Sequence, residues 1–406
     1  MWKRLTWTVF FMAIYIFGKN IPLPMVELNA KVLEGFEGRS LLENLMVMTG
    51  GSISSLNLFS LGVGPWMTAM ILWRFVTVFG LVKGLTGKRS YQAQFLLSFL
   101  IALIQAYATV TASQLTASYV SIVGNAALVK WLLVAVLIAG TYILNWLGNQ
   151  NGQYGYGGMI IIILTNMILA FVTNLTTYLT REAFTPSRLF LTTVVFVLLV
   201  SAIIHLAIIS SKAEYRIPIK RVSLTSSYLK HSYIPIKLMP AGAMPFMYGM
   251  SLMAIPVYVT ALLLRFYPNN TVLIFLYQNV GLTKPLGVIL YLLMLYILSI
   301  GFAYYNYDAY EIAKNMRNNG DYILDVIPGK PTQDFLSARI KVLARIGAFY
   351  TLFISGFPMI LALNNPRDTV NLAMLVSNSF IIAIFTFGIV GQIRATQMWK
   401  DYQELI

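Results

Sequence analysis

The sequence predicts an all-α integral membrane protein whose ten helices span the bilayer. Three observations carry that reading: 58% of the 406 residues are hydrophobic, only 11% are charged, and long apolar runs recur at the length of a bilayer crossing. Soluble domains carry roughly 25% charged residues, so a soluble chain of this size would leave large apolar patches in water. At about 20 residues per crossing, the spans are the runs near 5–23, 65–82, 91–113, 126–147, 156–180, 187–209, 241–264, 285–305, 340–363 and 370–393. The first follows Met1-Trp2-Lys3-Arg4, a basic start like that of a signal peptide. No small-residue cleavage site follows it, so it is expected to stay in the protein. Cys is absent and only His205 and His231 are present, which excludes disulfides, thiolate chemistry and a His-rich metal site.

The net charge of +15 follows the topology. Most Lys and Arg fall on the even-numbered turns and the two tails, which places both termini in the cytoplasm. The basic excess therefore calls for no nucleic-acid partner. The positive charges concentrate in two connections, 212–237 with Arg216, Lys220 and Arg221, and 306–341 with Lys330 and Lys341. Both exceed a simple turn, and long ordered connections carry function. Contact with anionic lipids and docking of a soluble partner both account for them.

The external stretch 24–64 begins charged, turns apolar through Leu45-Met46-Val47-Met48, and continues through Gly50-Gly51 and Ile53 to Asn57. Its apolar part is too short to cross alone. Irregular backbone at membrane depth is tolerated only inside protein or beside a water-filled cavity, so this element is expected to fold back into the bundle.

Ionisable residues are nearly absent from the span interiors. Arg74 can snorkel toward Lys83, and His205 reads as a hydrogen-bonded structural histidine. Gln105, Asn145, Asn166, Asn174, Asn306, Asn378 and Gln392 read as interhelix hydrogen bonds. Transporters and pumps need charge near the midplane, which leaves a small-solute secondary transporter as a weak alternative. No Ser/His pair, facing Asp pair, phosphate loop or metal-ligand spacing is present, so neither catalysis nor a cofactor is expected. An apolar constriction seals by dewetting without recognising what passes, which suits an unfolded polypeptide.

Several motifs stand in order along the chain. They are Thr49-Gly50-Gly51, then Leu58-Phe59-Ser60-Leu61-Gly62-Val63-Gly64-Pro65-Trp66-Met67, Asn145-Trp146-Leu147-Gly148 and Gly155-Tyr156-Gly157-Gly158. Further on come Arg216-Ile217-Pro218-Ile219, Met239-Pro240-Ala241-Gly242-Ala243-Met244-Pro245 and Ile327-Pro328-Gly329-Lys330-Pro331-Thr332. The ordered set resembles SecY, the pore subunit of the bacterial protein-translocation channel. The resemblance implies a clamshell of two inverted five-helix halves, 1–180 and 181–406, in the bacterial cytoplasmic membrane. It implies a plug at 40–62 that includes Leu45, Met48, Gly50, Gly51 and Ile53. A lateral gate would lie between spans two and three on one side and seven and eight on the other, with Arg74 beside it. It also implies a ring at the waist made of Met67, Ile71, Met159, Ile163, Met247 and Ile382, the 67/71 and 159/163 spacings keeping each pair on one helix face.

Arg216, Lys220, Arg221, Lys330 and Lys341 would face a motor ATPase of the SecA type. The implied partners are small SecE- and SecG-like subunits or their accessory equivalents, unfolded secretory polypeptide and anionic lipids. Departures are instructive: Ile327 replaces the arginine usual at the loop tip, Arg74 the span-two Gln, and Met239 an Asn. With short loops and tail, they resemble the accessory SecY of Gram-positive bacteria, which exports serine-rich glycosylated adhesins with an accessory SecA. A housekeeping SecY is the alternative.

Overall fold

The computed structural model describes residues 2–23, 26–27, 51, 56–78, 87–112, 114–115, 125–181, 186–221, 232–363 and 367–403. In chain order the first half holds α1 (Trp2–Lys19), β1 (Val26–Glu27), α2 (Gly64–Val78), α3 (Gly87–Ala112), β2 (Gln114–Leu115), α4 (Ala126–Tyr154) and α5 (Met159–Arg181). The second holds α6 (Pro186–Lys212), β3 (Glu214–Arg221), β4 (Tyr233–Lys237), α7 (Met244–Phe266), α8 (Thr271–Asn279), α9 (Pro285–Asn306), α10 (Ala309–Asn319), β5 (Asp321–Ile323), α11 (Lys330–Ala362) and α12 (Arg367–Gln403). Among the described residues, eight helices (α3 to α7, α9, α11 and α12) are long and apolar enough to cross a bilayer. Helix α1 has 18 residues including Lys3, Arg4 and Lys19, and α2 has 15; both pack into the same bundle.

Neighbour relations define two groups. In the first, α3 lies between α2 and α4, while α1 and α5 lean on α4. In the second, α9 lies between α7 and α11, and α12 joins α11 to α6. The groups meet on two sides: α7 packs against α2 and α3, and α12 packs against α5. One apolar core runs through both, from Tyr15 and Phe59 through Leu137, Ile162 and Met167 to Phe246, Met250, Leu295 and Phe380.

The two connections read separately in the sequence form one folded unit. Strands β4, β3 and β5 make an antiparallel sheet in that order, with Ile217 opposite Ile234 and Lys220 opposite Tyr322. Alternation sends Ile217 inward, where it meets Ile236, Ala313, Met316, Ile323, Leu336, Ile340 and Leu343 in a second core. Asp308 caps α10 by accepting from the Tyr310 and Glu311 N–H groups, and Gly320, at φ 71°, ends it in the left-handed conformation.

Helix α11 starts at Lys330, whereas the apolar run in the sequence starts near 340. Its first turns are amphipathic: Leu336, Ile340 and Leu343 face the second core while Lys330, Arg339 and Lys341 remain exposed. A search for apolar runs passes over such a stretch because only one stripe of it is buried.

Leu336 is fully buried at the centre of this unit. Leu336→Ala should cost about 2–5 kcal/mol locally. Amide exchange should accelerate in 214–221 and 321–323 and not in α4, which hydrogen–deuterium mass spectrometry measures.

Candidate functional site: an apolar waist set by three turns

Three irregular turns inside the bundle decide where α2, α5 and α7 begin. The first is residues 56–63. The Asn57 N–H donates to Ser60 Oγ (2.7 Å), Ser60 Oγ donates to the Asn57 carbonyl (2.9 Å), and the Phe59 N–H donates to Asn57 Oδ1 (2.9 Å). Asn57 is 1% exposed and Ser60 is fully buried, so these bonds satisfy groups that water cannot reach. The turn is tied to the end of α1 by Leu23 N–H to the Leu56 carbonyl and Leu58 N–H to the Ile21 carbonyl. Phe59 stacks on Tyr15 of α1. On the other side Gly140 of α4 lets the Leu58 carbonyl approach so closely that a Cβ would overlap it. Gly62, at φ 59°, then reverses the chain into α2 and places Met67 in its second turn.

The second turn is Gly155-Tyr156-Gly157-Gly158, with positive φ at Gly157 and Gly158. Asn151, fully buried, donates through Nδ2 to the carbonyls of Tyr156 (2.8 Å) and Gly158 (2.9 Å). Thr8 Oγ1 of α1 accepts from the Tyr156 N–H, and Gln392 Oε1 of α12 accepts from the Gly157 N–H. Helix α5 starts at Met159, which packs on Gly148 of α4. The third turn spans Met239–Ala243, where Asn306 Nδ2 of α9 donates to the Pro240 carbonyl (2.8 Å) and Gly242 takes φ 61°. Pro245 follows in the first turn of α7, ahead of Met247.

Five of the six expected ring residues lie in or against the one central core. Met67, Ile163 and Met247 are buried members of the central core, and Met159 and Ile382 are half-buried against it. Ile71 parts from them and packs with Ala241, Leu298 and Phe302, on the side where α2 meets α7. Among the described residues the only buried charged side chain is Asp321, which lies in the sheet unit and not at the waist.

Of the expected plug residues, Leu45, Met48, Gly50 and Ile53 lie outside the described residues. Gly51 is buried, and its carbonyl accepts from Asn166 Nδ2 (3.1 Å) on α5. Asn166 Oδ1 in turn accepts from Lys19 Nζ (2.6 Å) at the end of α1. The sequence predicts an interhelix bond for Asn166 but not its partner, because a charge at the end of an apolar run, as at Lys19, reads as a solvated boundary. Arg74 lies on α2, with its side chain outside the described residues. Another expectation fails: His205 is exposed on α6 and has no hydrogen bond among the described residues. Helix α6 turns most of its surface outward, so position 205 meets no polar neighbour.

The basic residues of the sheet unit divide into two kinds. Arg221 makes a bidentate pair with Asp321 (2.6 and 3.2 Å), joining β3 to β5. Arg216 pairs with Glu214 (2.8 Å) and lies over the Tyr233 ring; the bond to Glu214 and, after it, the ring hydroxyl raise its pKa. Lys220, Lys330 and Lys341 are exposed. The expected surface is therefore carried by the lysines, while Arg221 is held by Asp321 within the sheet.

A helical bundle in which two groups of helices share one apolar core, without a buried charge in it among the described residues, has the build of a protein-conducting channel. The SecY family model matches residues 57–387, and the chain belongs to the SecY family. It is 42% identical over 409 residues to the accessory Sec system protein translocase subunit SecY2 of Streptococcus parasanguinis, covering 100% of this chain and 97% of the relative. It is 34% identical to the SecY2 of Streptococcus oralis, covering 98% and 96%. Its fold is similar to a solved structure of a protein conducting channel, with TM-score 0.67 at 16% identity, covering 97% of this chain and 92% of that one. A second similar structure concerns the plug domain of SecY, with TM-score 0.62 at 16% identity.

Gly140→Ala forces the Leu58 carbonyl and the whole 56–63 turn to move. Overpacking of this kind costs about 1–3 kcal/mol. The expected result is a lower thermal unfolding midpoint in detergent micelles, with Gly388→Ala, which meets open space, unchanged.

Proposed function

We propose that this chain is the pore subunit of a translocation channel of the accessory Sec route, carrying unfolded serine-rich glycosylated adhesins across the bacterial cytoplasmic membrane. A cytoplasmic ATPase of the SecA type supplies the energy. The observation that carries the reading is the convergence of Met67, Met159, Ile163, Met247 and Ile382 in one apolar core with no buried charge beside it among the described residues. An ion forced through such a constriction loses its hydration, an idealised cost on the order of 20 kcal/mol. A polypeptide replaces water contacts with side-chain contacts and passes. Three of the five residues are Met, whose flexible thioether adapts to a changing cargo. A small-solute transporter would need a charged midplane site, and the described residues offer no buried charge in the central core to support that alternative.

In this reading ten helices span the membrane, α1 and α2 included, as two halves at 1–180 and 181–406, with both termini and the sheet unit in the cytoplasm. The proposed lateral gate opens where α7 meets α2 and α3; Ile71, Leu298 and Phe302 close it on the cytoplasmic side. The segment near 40–62 is the plug. Small SecE- and SecG-like subunits clamp the halves, and anionic lipids meet the basic face. Ile327 supports the accessory subtype: it is 73% exposed at the loop tip, where related channels carry arginine. An apolar tip fits a protein motor better than ribosomal phosphate.

Two outcomes test this. Lys220→Glu, Lys330→Glu and Lys341→Glu together should reduce export in proteoliposomes with the matching motor at least tenfold, without a change in thermal stability. Arg221 is left intact because its loss also strips Asp321 of its partner. Deleting 45–55, which spares the anchor at Leu56 and Asn57, should make the resting channel conduct ions; a background conductance would refute the plug.

A further inference from the structure

Helix α8 is held from one side and left open on the other. It joins the end of α7 to the start of α9, and it packs on both. Helix α7 starts beside the sheet unit and runs for 23 residues, about 35 Å at the helical rise. That places α8 at the opposite surface of the bundle. Asn270 sets its start, with Oδ1 accepting from the Val272 and Leu273 N–H groups (3.0 and 3.3 Å). The far end is pinned as firmly. Val280 and Leu282 are buried, and the Val280 and Gly281 carbonyls lie so close to Gly287 of α9 that a Cβ there would overlap them. Leu276 packs against the central core.

The other face is apolar and uncovered. Val272 is 64% exposed and Phe275 is 55% exposed, three residues apart and so neighbours on the helix surface. No Asp, Glu, Lys, Arg or His stands between Arg265 and Lys284. A face that met a soluble protein would carry a polar, charged rim. Here the polar groups are uncharged amides at the two ends, Asn269 and Asn270 before the helix and Gln278 and Asn279 closing it. The apolar surface also continues into chain that spans the bilayer. Phe266 and Tyr267 are exposed where α7 ends, and Leu286, Ile289 and Leu293 form an exposed stripe down the first turns of α9. Nine residues are too few for α8 to cross a membrane itself.

We propose that α8 is an interfacial anchor, lying in the plane of the membrane surface remote from the sheet unit. Val272 and Phe275 enter the outermost acyl chains, and the amide ends lie at the headgroups. The occupant of this face is lipid. Tyr267, with an apolar ring and a polar tip, suits the same level. The inner face is apolar too because it packs on protein, so α8 needs no charged face of its own.

The chain has no Cys, so one introduced thiol carries one spin label. The full-length channel with Val272→Cys or Phe275→Cys is labelled and reconstituted in vesicles of phosphatidylethanolamine and phosphatidylglycerol. Electron paramagnetic resonance compares collisions of the label with oxygen, which partitions into acyl chains, and with a water-soluble nickel chelate. Phe349→Cys, exposed on α11, and Lys220→Cys, exposed on the sheet unit, calibrate lipid and water. For a face about 5–10 Å into the boundary, the oxygen-to-nickel ratio at 272 and 275 should exceed that at 220 by about tenfold. A ratio at both sites equal to that at 220 would overturn the anchor and leave the face to a soluble partner. Low collision with both reagents, rising when the protein is diluted with lipid, would put a second copy of the chain on this face and overturn it too. A label at 349 that also reads as water would remove the membrane placement of the bundle and the anchor with it.

Discussion

The constraint on which this structure depends is that a peptide group inside a bilayer must find its hydrogen-bond partner within the protein. Helices meet it automatically; turns do not. At 56–63, 155–158 and 239–243 the chain leaves helical geometry within the bundle, and at each place a side chain repairs the loss. Asn57 and Ser60 serve the first turn, Asn151, Thr8 and Gln392 the second, and Asn306 the third. A neutral bond contributes only about 1 kcal/mol net, whereas an orphaned buried group costs about 1–3 kcal/mol. The repair is therefore what permits the turn, more than what stabilises it. Because helices α2, α5 and α7 start from these turns, the same few polar side chains set the height of Met67, Met159 and Met247.

Polar and apolar residues thus divide the labour. The amides and hydroxyls are buried among backbone groups, where they fix geometry, and the waist is left to side chains that form no directional bond. Lys19 is the exception: its charge, half-buried at the end of α1, is turned to the Asn166 amide of α5. A fully charged ring would bind its cargo or admit ions.

Much of this was legible in the sequence because hydropathy and helix length are local properties. The apolar runs give α3 to α7 and α9, and the Gly and Pro clusters mark the turns, since positive φ at Gly62, Gly157 and Gly242 leaves a chemical signature. What escaped was non-local. Arg221 and Asp321 are a hundred residues apart, and nothing near either announces a shared sheet. Two-, three- and five-residue strands such as β1, β5 and β4 lack the length for a periodic signal. The link from Lys19 to Asn166 to Gly51 joins three distant segments, each unremarkable by itself. Ile71 illustrates a finer limit: helical spacing places it on the face of Met67, but one turn along α2 it packs instead with Ala241 before α7 and with Leu298 and Phe302 of α9, and periodicity cannot register that.

The sheet unit gives the proposed motor a mechanical route to the gate. Strand β4 ends at Lys237 and runs with no intervening linker into the turn that starts α7. The Leu238 N–H donates to the Ala213 carbonyl at the end of α6, and Gly347 of α11 packs against Leu238, Met239 and Pro240 so closely that any side chain there would push them. A force on β3 and β4 therefore reaches α7 through hydrogen-bonded and packed backbone, without a flexible joint to absorb it. Helix α7 is also the element that meets α2 and α3 across the two halves. Beside it Ile71 of α2 packs with Leu298 and Phe302 of α9 and with Ala241 in the turn before α7, and Tyr248 of α7 stacks on Phe302. A seam built on apolar side chains can slide by a side chain's width. In the proposed mechanism, a rigid lever on one side and an apolar seam on the other make α7 the place where docking at the surface becomes opening at the waist.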